Sequence, residues 1–194
     1  MWMANARPHF TNTELPAIMR SAGCVMLTFA LESGSDAVLK RISKGFTAGE
    51  SSQSLKLAAN AGIVNLINVL SGSPHETSED VAATLKYLKR NRENIDFINS
   101  HTSFTWPSMM NYDPRRSGVR LRNTQGFNLI GYFHPYDEIG GRTWEEAVKF
   151  KEWSIVQTEK AVQNMKSIDY SERDISVFHI FNLGYDRKLL KQYC

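Results

Sequence analysis

Four short stretches carry side chains whose types and placement suit chemistry. Phe29-Ala30-Leu31-Glu32-Ser33-Gly34-Ser35 sets the Glu32 carboxylate directly behind an apolar run. A partly buried carboxylate needs donors, and these can be local amides and cations or the hydroxyl and amino groups of a ligand. Further on, Lys44 precedes Gly45; it is either a cation facing the end of its helix in water or a partner for an anionic group. Leu70-Ser71-Gly72-Ser73-Pro74-His75-Glu76-Thr77 is a loop of small residues that lets a flat ligand approach the backbone. It lacks the Gly and Lys spacing of a nucleotide P-loop and the Gly-x-Gly-x-x-Gly of a dinucleotide site, so simple phosphate binding is disfavoured. The fourth stretch, Trp2-Met3-Ala4-Asn5-Ala6-Arg7, ends on a cation.

Other chemistries find less support. The 5 histidines (His9, His75, His101, His134, His179) are scattered without ligand spacing, so no metal site is proposed. The 2 cysteines, Cys24 and Cys194, exclude a disulfide framework, a four-cysteine zinc site and a cluster held by local thiolates. Cys24 opens an apolar run and reads as a small core residue rather than a nucleophile. Lys86, Lys89, Arg90 and Arg92 read as the wet face of a helix, and Arg115, Arg116, Arg120 and Arg122 as cations of a loop.

The elements that must position these groups follow from a repeated pattern. Ala22-Gly23-Cys24-Val25-Met26-Leu27 returns in outline as Ala61-Gly62-Ile63-Val64-Asn65-Leu66, and each copy runs through apolar residues into Ser-Gly-Ser. Thr13 precedes a helix ended at Gly23; Thr47 and Glu50 form a capping box before Leu55, Ala58 and Ala59, with Gly62 as the stop. Ser35 caps a short helix over Asp36–Ser43 that ends at Gly45. Thr77 and Asp80 open a further helix whose inner face is Val81, Leu85 and Leu88. Strands are expected at Trp2–Ala6, from Cys24, from Val64 and over Ile95–Ser100. Helical crossovers of this length require parallel strands, so the fold class is α/β with a parallel sheet. Residues 106–142 are broken by Pro and Gly into an irregular region. A last helix begins at Thr143 with Glu146, runs to about Ser167 and carries Trp144, Val148, Ile155, Val162 and Met165 on one face. Ile175–Leu183 is a candidate terminal strand. In such sheets ligands bind at the carboxyl ends of strands, where Glu32 and Leu70–Ser73 fall.

In order and separation, Trp2-x-Ala4-Asn5-Ala6-Arg7, Ala22-Gly23-Cys24, Leu31-Glu32-Ser33-Gly34-Ser35, Lys44-Gly45-Phe46-Thr47 and Gly72-Ser73-Pro74-His75-Glu76-Thr77 resemble radical S-adenosylmethionine proteins, most closely those with an N-terminal cobalamin-binding domain. The resemblance covers residues 2 to about 105. It implies a partial TIM-type (β/α) barrel, of which this sequence is the second half from the third strand, plus a helical C-terminal extension. The implied divisions are 1–105 for the barrel part, 106–142 for the loop region and 143–194 for the C-terminal helix and tail. It further implies that Glu32 and Ser33 face the ribose or amino group of S-adenosylmethionine, that Lys44 meets its carboxylate, that Leu70, Ser71 and Gly72 lie beside the adenine, and that Arg7 borders the same pocket. The family's 4Fe-4S cluster sits on three cysteines of an early loop and, like cobalamin, belongs to the missing N-terminal region. Cys-x-x-x-Cys-x-x-Cys is absent here, so radical chemistry is not expected of this chain alone. Two departures stand out: Ala30 where Gly is frequent, and His75 where Gly is usual.

With 194 residues, 42% hydrophobic and 22% charged, the chain is long enough for a real core but short of the roughly 250 residues of a whole barrel. A net charge of +3 gives no argument for nucleic acid. No apolar run is long enough for a membrane span and the N-terminus lacks signal-peptide order, so a cytoplasmic location is expected. Two alternatives accompany the main reading. One is a non-catalytic half-barrel module that self-associates or pairs with another half; the other is a different βα fragment that binds a phosphorylated metabolite.

Overall fold

The computed structural model describes residues 1–103, 118–122 and 135–162, with the side chains of residues 100–103 excepted. Cys194, Met165, the end of the last expected helix and the candidate strand at 175–183 lie outside the described residues.

Four strands, β1 (Trp2–Ala6), β2 (Cys24–Glu32), β3 (Val64–Ser71) and β4 (Phe97–Ser103), form one sheet in the order β1-β2-β3-β4. Every neighbouring pair is parallel, as the crossover lengths require. The connections carry α1 (Leu15–Ser21), α2 (Asp36–Arg41), α3 (Ala48–Asn60) and α4 (Ser78–Arg90). Two further strands, β5 (Val119–Leu121) and β6 (Tyr136–Glu138), pair antiparallel inside the stretch that the sequence marks as irregular. A final helix, α5 (Trp144–Val162), packs on α4, β4, β3 and β6. Among the described residues no helix is long and apolar enough to cross a membrane.

The caps decide where most helices begin. Thr47 accepts from the Glu50 amide while Glu50 accepts from the Thr47 amide, and Thr77 with Asp80 does the same at α4. Thr143 and Glu146 complete a third box before α5. At α1 the expected cap is displaced: Glu14 is the N-cap and bonds nothing with its side chain, while its amide donates to Asn12 Oδ1 at 2.9 Å. Pro16, buried in the first turn, fixes that helix start without a Thr13 cap.

Period-two alternation gives the sheet two faces. Leu27, Phe29 and Leu31 of β2, Ile67 and Val69 of β3 and Ile98 of β4 pack with Leu39, Leu55, Ala58, Tyr87 and Leu88 of the helices. Val25, Met26, Val64, Leu66 and Phe97, with Met3, form a smaller cluster built from strands alone. Cys24 is fully buried in the helix-side core, and burial pushes its thiol pKa up, so it acts as a small apolar residue.

The face of α5 agrees with the sequence expectation at Val162 and differs from it nearer the N-terminus. Ala147, Ser154, Thr158 and Val162 are the buried residues, while Trp144, Val148 and Ile155 are half-buried. A helix that lies close to backbone must present small side chains there, so volume rather than hydrophobicity selects the buried face.

Candidate functional site

Three of the expected residues meet at the carboxyl ends of β1 and β2. Lys44 Nζ donates to Glu32 Oε1 at 2.9 Å, with the Glu32 side chain 10% and the Lys44 side chain 22% exposed. Arg7, just beyond β1, donates through Nη2 to the Lys44 carbonyl and sets its guanidinium over the Phe46 ring. Glu32 is a non-glycine residue at φ 71°, and the β2–β3 register slips between Phe29 and Glu32. An irregularity of this kind re-aims the last side chain of a strand, and holding a branched chain of atoms at positive φ costs about 1–2 kcal/mol. The loop therefore spends stability on where that carboxylate lies. The pair is self-neutralising: a carboxylate and an ammonium, mostly out of water, held by one hydrogen bond.

Ser33 is turned elsewhere. Its hydroxyl lies 3.0 Å from Thr84 Oγ1 of α4 and accepts from the Ser35 amide at 3.1 Å. Thr84 Oγ1 donates to the Asp80 carbonyl and accepts from the Gly34 amide, which leaves Ser33 as the donor to it. Gly34 has no room for a side chain, since a Cβ would stand 2.4 Å from Tyr87 Cβ and 2.8 Å from Thr84 Cα. Ser35 donates to Asp80 Oδ1, and Arg41 at the end of α2 lies 3.9 Å from the same carboxylate. Ser33-Gly34-Ser35 thus seats the β2 loop on α4, and the hydroxyl of Ser33 is committed to that seat.

At the end of β3 the expected residues divide. Leu70 packs with Val119 and Tyr136, near Ile42, Leu121 and Trp144. Ser71 and Ser73 are each 1% exposed, and the hydroxyl of each finds no hydrogen-bond partner among the described residues. Gly72, at φ 78°, lies under α5: an added Cβ would stand 2.5 Å from Lys151 Cβ and 3.1 Å from Lys151 Cα. Its amide donates to Glu76 Oε2 at 2.7 Å. Glu76 is 1% exposed, and burial pushes its carboxyl up to about 7 against the pull of the Gly72 amide. His75 adopts φ 59°, the left-handed region a glycine would fill at no cost. The expected departure at this position is therefore absorbed by backbone strain, offset by contacts of the imidazole and its amide to Gly118 and Glu138.

Some polar groups were not signalled by the sequence. Asn68 and Asn99 are register partners on β3 and β4, two residues beyond Leu66 and Phe97 of the strand-only cluster. Period two places both amides on the face away from the helices. Glu138 and Arg142 belong to a stretch without periodicity, and only the Thr143 cap marked its end. Among the described residues no group of three or more His, Cys, Asp or Glu is placed to hold a metal ion.

No family model matches the chain. Over 89 residues it is 35% identical to an uncharacterized methyltransferase of Pyrococcus horikoshii, a segment that is 46% of this chain and 19% of that protein. The fold is shared with a solved structure of the radical S-adenosylmethionine methyltransferase TsrM from Kitasatospora setae, with cobalamin and a [4Fe-4S] cluster bound: TM-score 0.52, 15% identity, 88% of this chain and 37% of that one. The cobalamin-dependent S-adenosylmethionine radical enzyme OxsB aligns at TM-score 0.42 and 16% identity, over 80% of this chain and 18% of that one. The chain thus spans about a fifth of the curated relative and little more than a third of the TsrM chain. The solved structure that shares this fold is a radical S-adenosylmethionine methyltransferase, of the group the sequence resembles.

Proposed function

We propose that the chain forms the S-adenosylmethionine-facing wall of a radical methyltransferase-type protein, with its sheet as part of a TIM-type barrel and residues 1–105, 106–142 and 143–194 as its successive parts. The observation that carries this reading is the Glu32–Lys44 pair, with Arg7 beside it, at the carboxyl ends of adjacent parallel strands. A ligand with both an ammonium and a carboxylate exchanges one internal ion pair for two external ones. A ligand of one sign leaves the other partner bare in a half-buried setting. The arrangement therefore favours an amino acid moiety over a simple anion or cation.

In this reading Glu32 accepts from the ammonium or ribose hydroxyls, Lys44 turns from Glu32 to the ligand carboxylate, and Arg7 holds the Lys44 main chain in place. When bound, S-adenosylmethionine supplies an electrophilic sulfonium methyl and, in radical enzymes, an adenosyl radical. Asn68 and Asn99, on the helix-free face, supply paired amide donors and acceptors to a substrate. The residues present do not fit an iron–sulfur cluster: Cys24 is fully buried in the core with its thiol pKa raised. The chain's 2 cysteines are fewer than the thiolates such a cluster needs, and in this reading cluster and cobalamin are held by a longer protein.

The test is calorimetric titration of the 194-residue chain with S-adenosylmethionine and, separately, with methylthioadenosine, which lacks the amino acid. Binding of the first at least tenfold tighter, abolished in Glu32→Ala/Lys44→Ala, is the expected result. Equal affinity for both, or undiminished binding by the double variant, refutes the assignment. The half-barrel alternative rests on β1, an edge strand of the described sheet on which Trp2 is 37% exposed. Light scattering that shows a defined dimer favours that alternative.

A further inference from the structure

The loop between β3 and α4 is strapped from the far side by residues 118–122 and 135–142. Gly118, at the start of the β5–β6 ribbon, accepts from both His75 Nε2 and the Ile139 amide, each at 2.8 Å. Glu138 of β6, with its side chain 3% exposed, accepts from the His75 amide at 2.8 Å and from the Arg142 amide at 3.1 Å. Arg142 donates to the Glu76 carbonyl, lies 3.5 Å from Glu138 Oε1 and stacks on Phe150 of α5. At the other end of the same loop the Glu76 carboxylate closes onto the Gly72 amide beneath Lys151. Two buried carboxyl groups thus hold the loop, Glu76 from within and Glu138 from the ribbon.

We propose that this strap is a proton-operated latch: with Glu76 neutral the ribbon and α5 close over the β3 carboxyl end, and ionisation of Glu76 loosens them. The charges facing Glu76 are Asp80 of α4, itself near Arg41 of α2; Tyr136, Glu138 and Arg142 of the ribbon segment; Lys151 of α5; and His75 of its own loop. The acids of that set oppose a second buried negative charge, and Arg142 is already shared between Glu138 and the Glu76 carbonyl. His75 donates through Nε2 to the Gly118 carbonyl, and its Nδ1 lies 3.8 Å from Glu138 Oε2. The carboxyl of Glu76 is raised to about 7 when closed. A raised carboxyl favours the closed state where it is neutral, and that preference is lost as pH rises from the ordinary Glu range through the closed-state value. Between pH 4.5 and 7.5 the closed-to-open ratio is expected to fall about a hundredfold.

This inference is independent of what binds at Glu32. It is tested on the 194-residue chain by amide hydrogen exchange, corrected for intrinsic rates, at Gly72, His75 and Glu76, with core amides of Leu27 and Ile67 as reference. Loop protection should fall with pH while the core amides hold, and Glu76→Gln, a neutral side chain of the same shape, should keep the loop protected at every pH. Protection of the wild-type loop that does not vary with pH overturns the proposal, as does a pH response that the core amides share. An unchanged slope in Glu76→Gln also overturns it. Should Glu76→Gln not fold, Arg142→Gln is the second probe, and loop exchange at its fast limit even at low pH is the expected result; wild-type protection in that variant refutes the strap.

Discussion

Replacing Gly72 by Ala tests whether α5 rests on the end of β3. The backbone there has φ 78°, and a Cβ would meet Lys151 Cβ at 2.5 Å, Cγ at 2.6 Å and Cα at 3.1 Å. The left-handed conformation costs an alanine about 1–2 kcal/mol, reduced by roughly 0.5 kcal/mol through the smaller entropy of the unfolded chain. The collision adds about 1–3 kcal/mol, because the Lys151 Cα and Cβ cannot swing away as a side-chain tip does. The sum is about 3 kcal/mol, or a fall in Tm of roughly 6–12 °C for a chain of this size. Gly140 is the internal control: its φ is 70° and nothing lies within 4 Å of an added Cβ, so Gly140→Ala carries the backbone cost alone. Urea unfolding of the two variants therefore isolates the collision as their difference, about 2 kcal/mol. Lys151→Gly in the Gly72→Ala background should recover part of it, less the roughly 1 kcal/mol that glycine costs inside a helix. Equal destabilisation by Gly72→Ala and Gly140→Ala refutes the contact between α5 and the β3 edge.

Two further experiments separate the Glu32–Lys44 pair from the scaffold. Thr84→Val removes the hydroxyl that joins the Ser33 side chain, the Gly34 amide and the Asp80 carbonyl, and should cost about 2 kcal/mol in chemical denaturation. A loss below roughly 0.5 kcal/mol would show that the β2 loop is not held by α4. Glu32→Gln and Lys44→Met, combined in a double-mutant cycle, should show a coupling of about 1–2 kcal/mol, since both side chains are less than a quarter exposed and joined at 2.9 Å. Coupling indistinguishable from zero would mean that the two charges do not restrain each other.

Much of this architecture is legible in the residues. The boxes Thr47–Glu50, Thr77–Asp80 and Thr143–Glu146 and the cap at Ser35 are local devices, closed within four residues, so local sequence suffices to find them. Repeated helix, stop and apolar run set the parallel order because a crossover allows no other pairing. Non-local features escaped. Ser33 stands beside Glu32 in sequence, yet its partner Thr84 lies 51 residues away and only the packing of α4 on Gly34 reveals it. The buried face of α5 is set by closeness to Gly72, so it prefers Ala147, Ser154 and Thr158 to the larger apolar residues that periodicity selects. The β5–β6 ribbon has three-residue strands, too short for a period to be read.

The two sides of the sheet edge are therefore prepared in opposite ways. At β2 the cost of a strained Glu32 is met by an ion pair with Lys44, a bond that a zwitterionic ligand replaces without leaving a charge bare. At β3 the backbone edge at Gly72 is already occupied by Lys151, so a flat ligand beside Leu70–Gly72 must share that edge with α5 or move it. α5 is held there by a buried face of Ala147, Ser154, Thr158 and Val162, the last in the main core, and by Trp144 edge-on to Tyr136. At its N-terminal end α5 is tied to the loop through Arg142, which stacks on Phe150 and donates to the Glu76 carbonyl, and through Glu138, which accepts from the His75 and Arg142 amides. A helix fastened by polar contacts at one end and by small residues along its length is suited to lift from that edge, and the state of Glu76 sets how readily it does so.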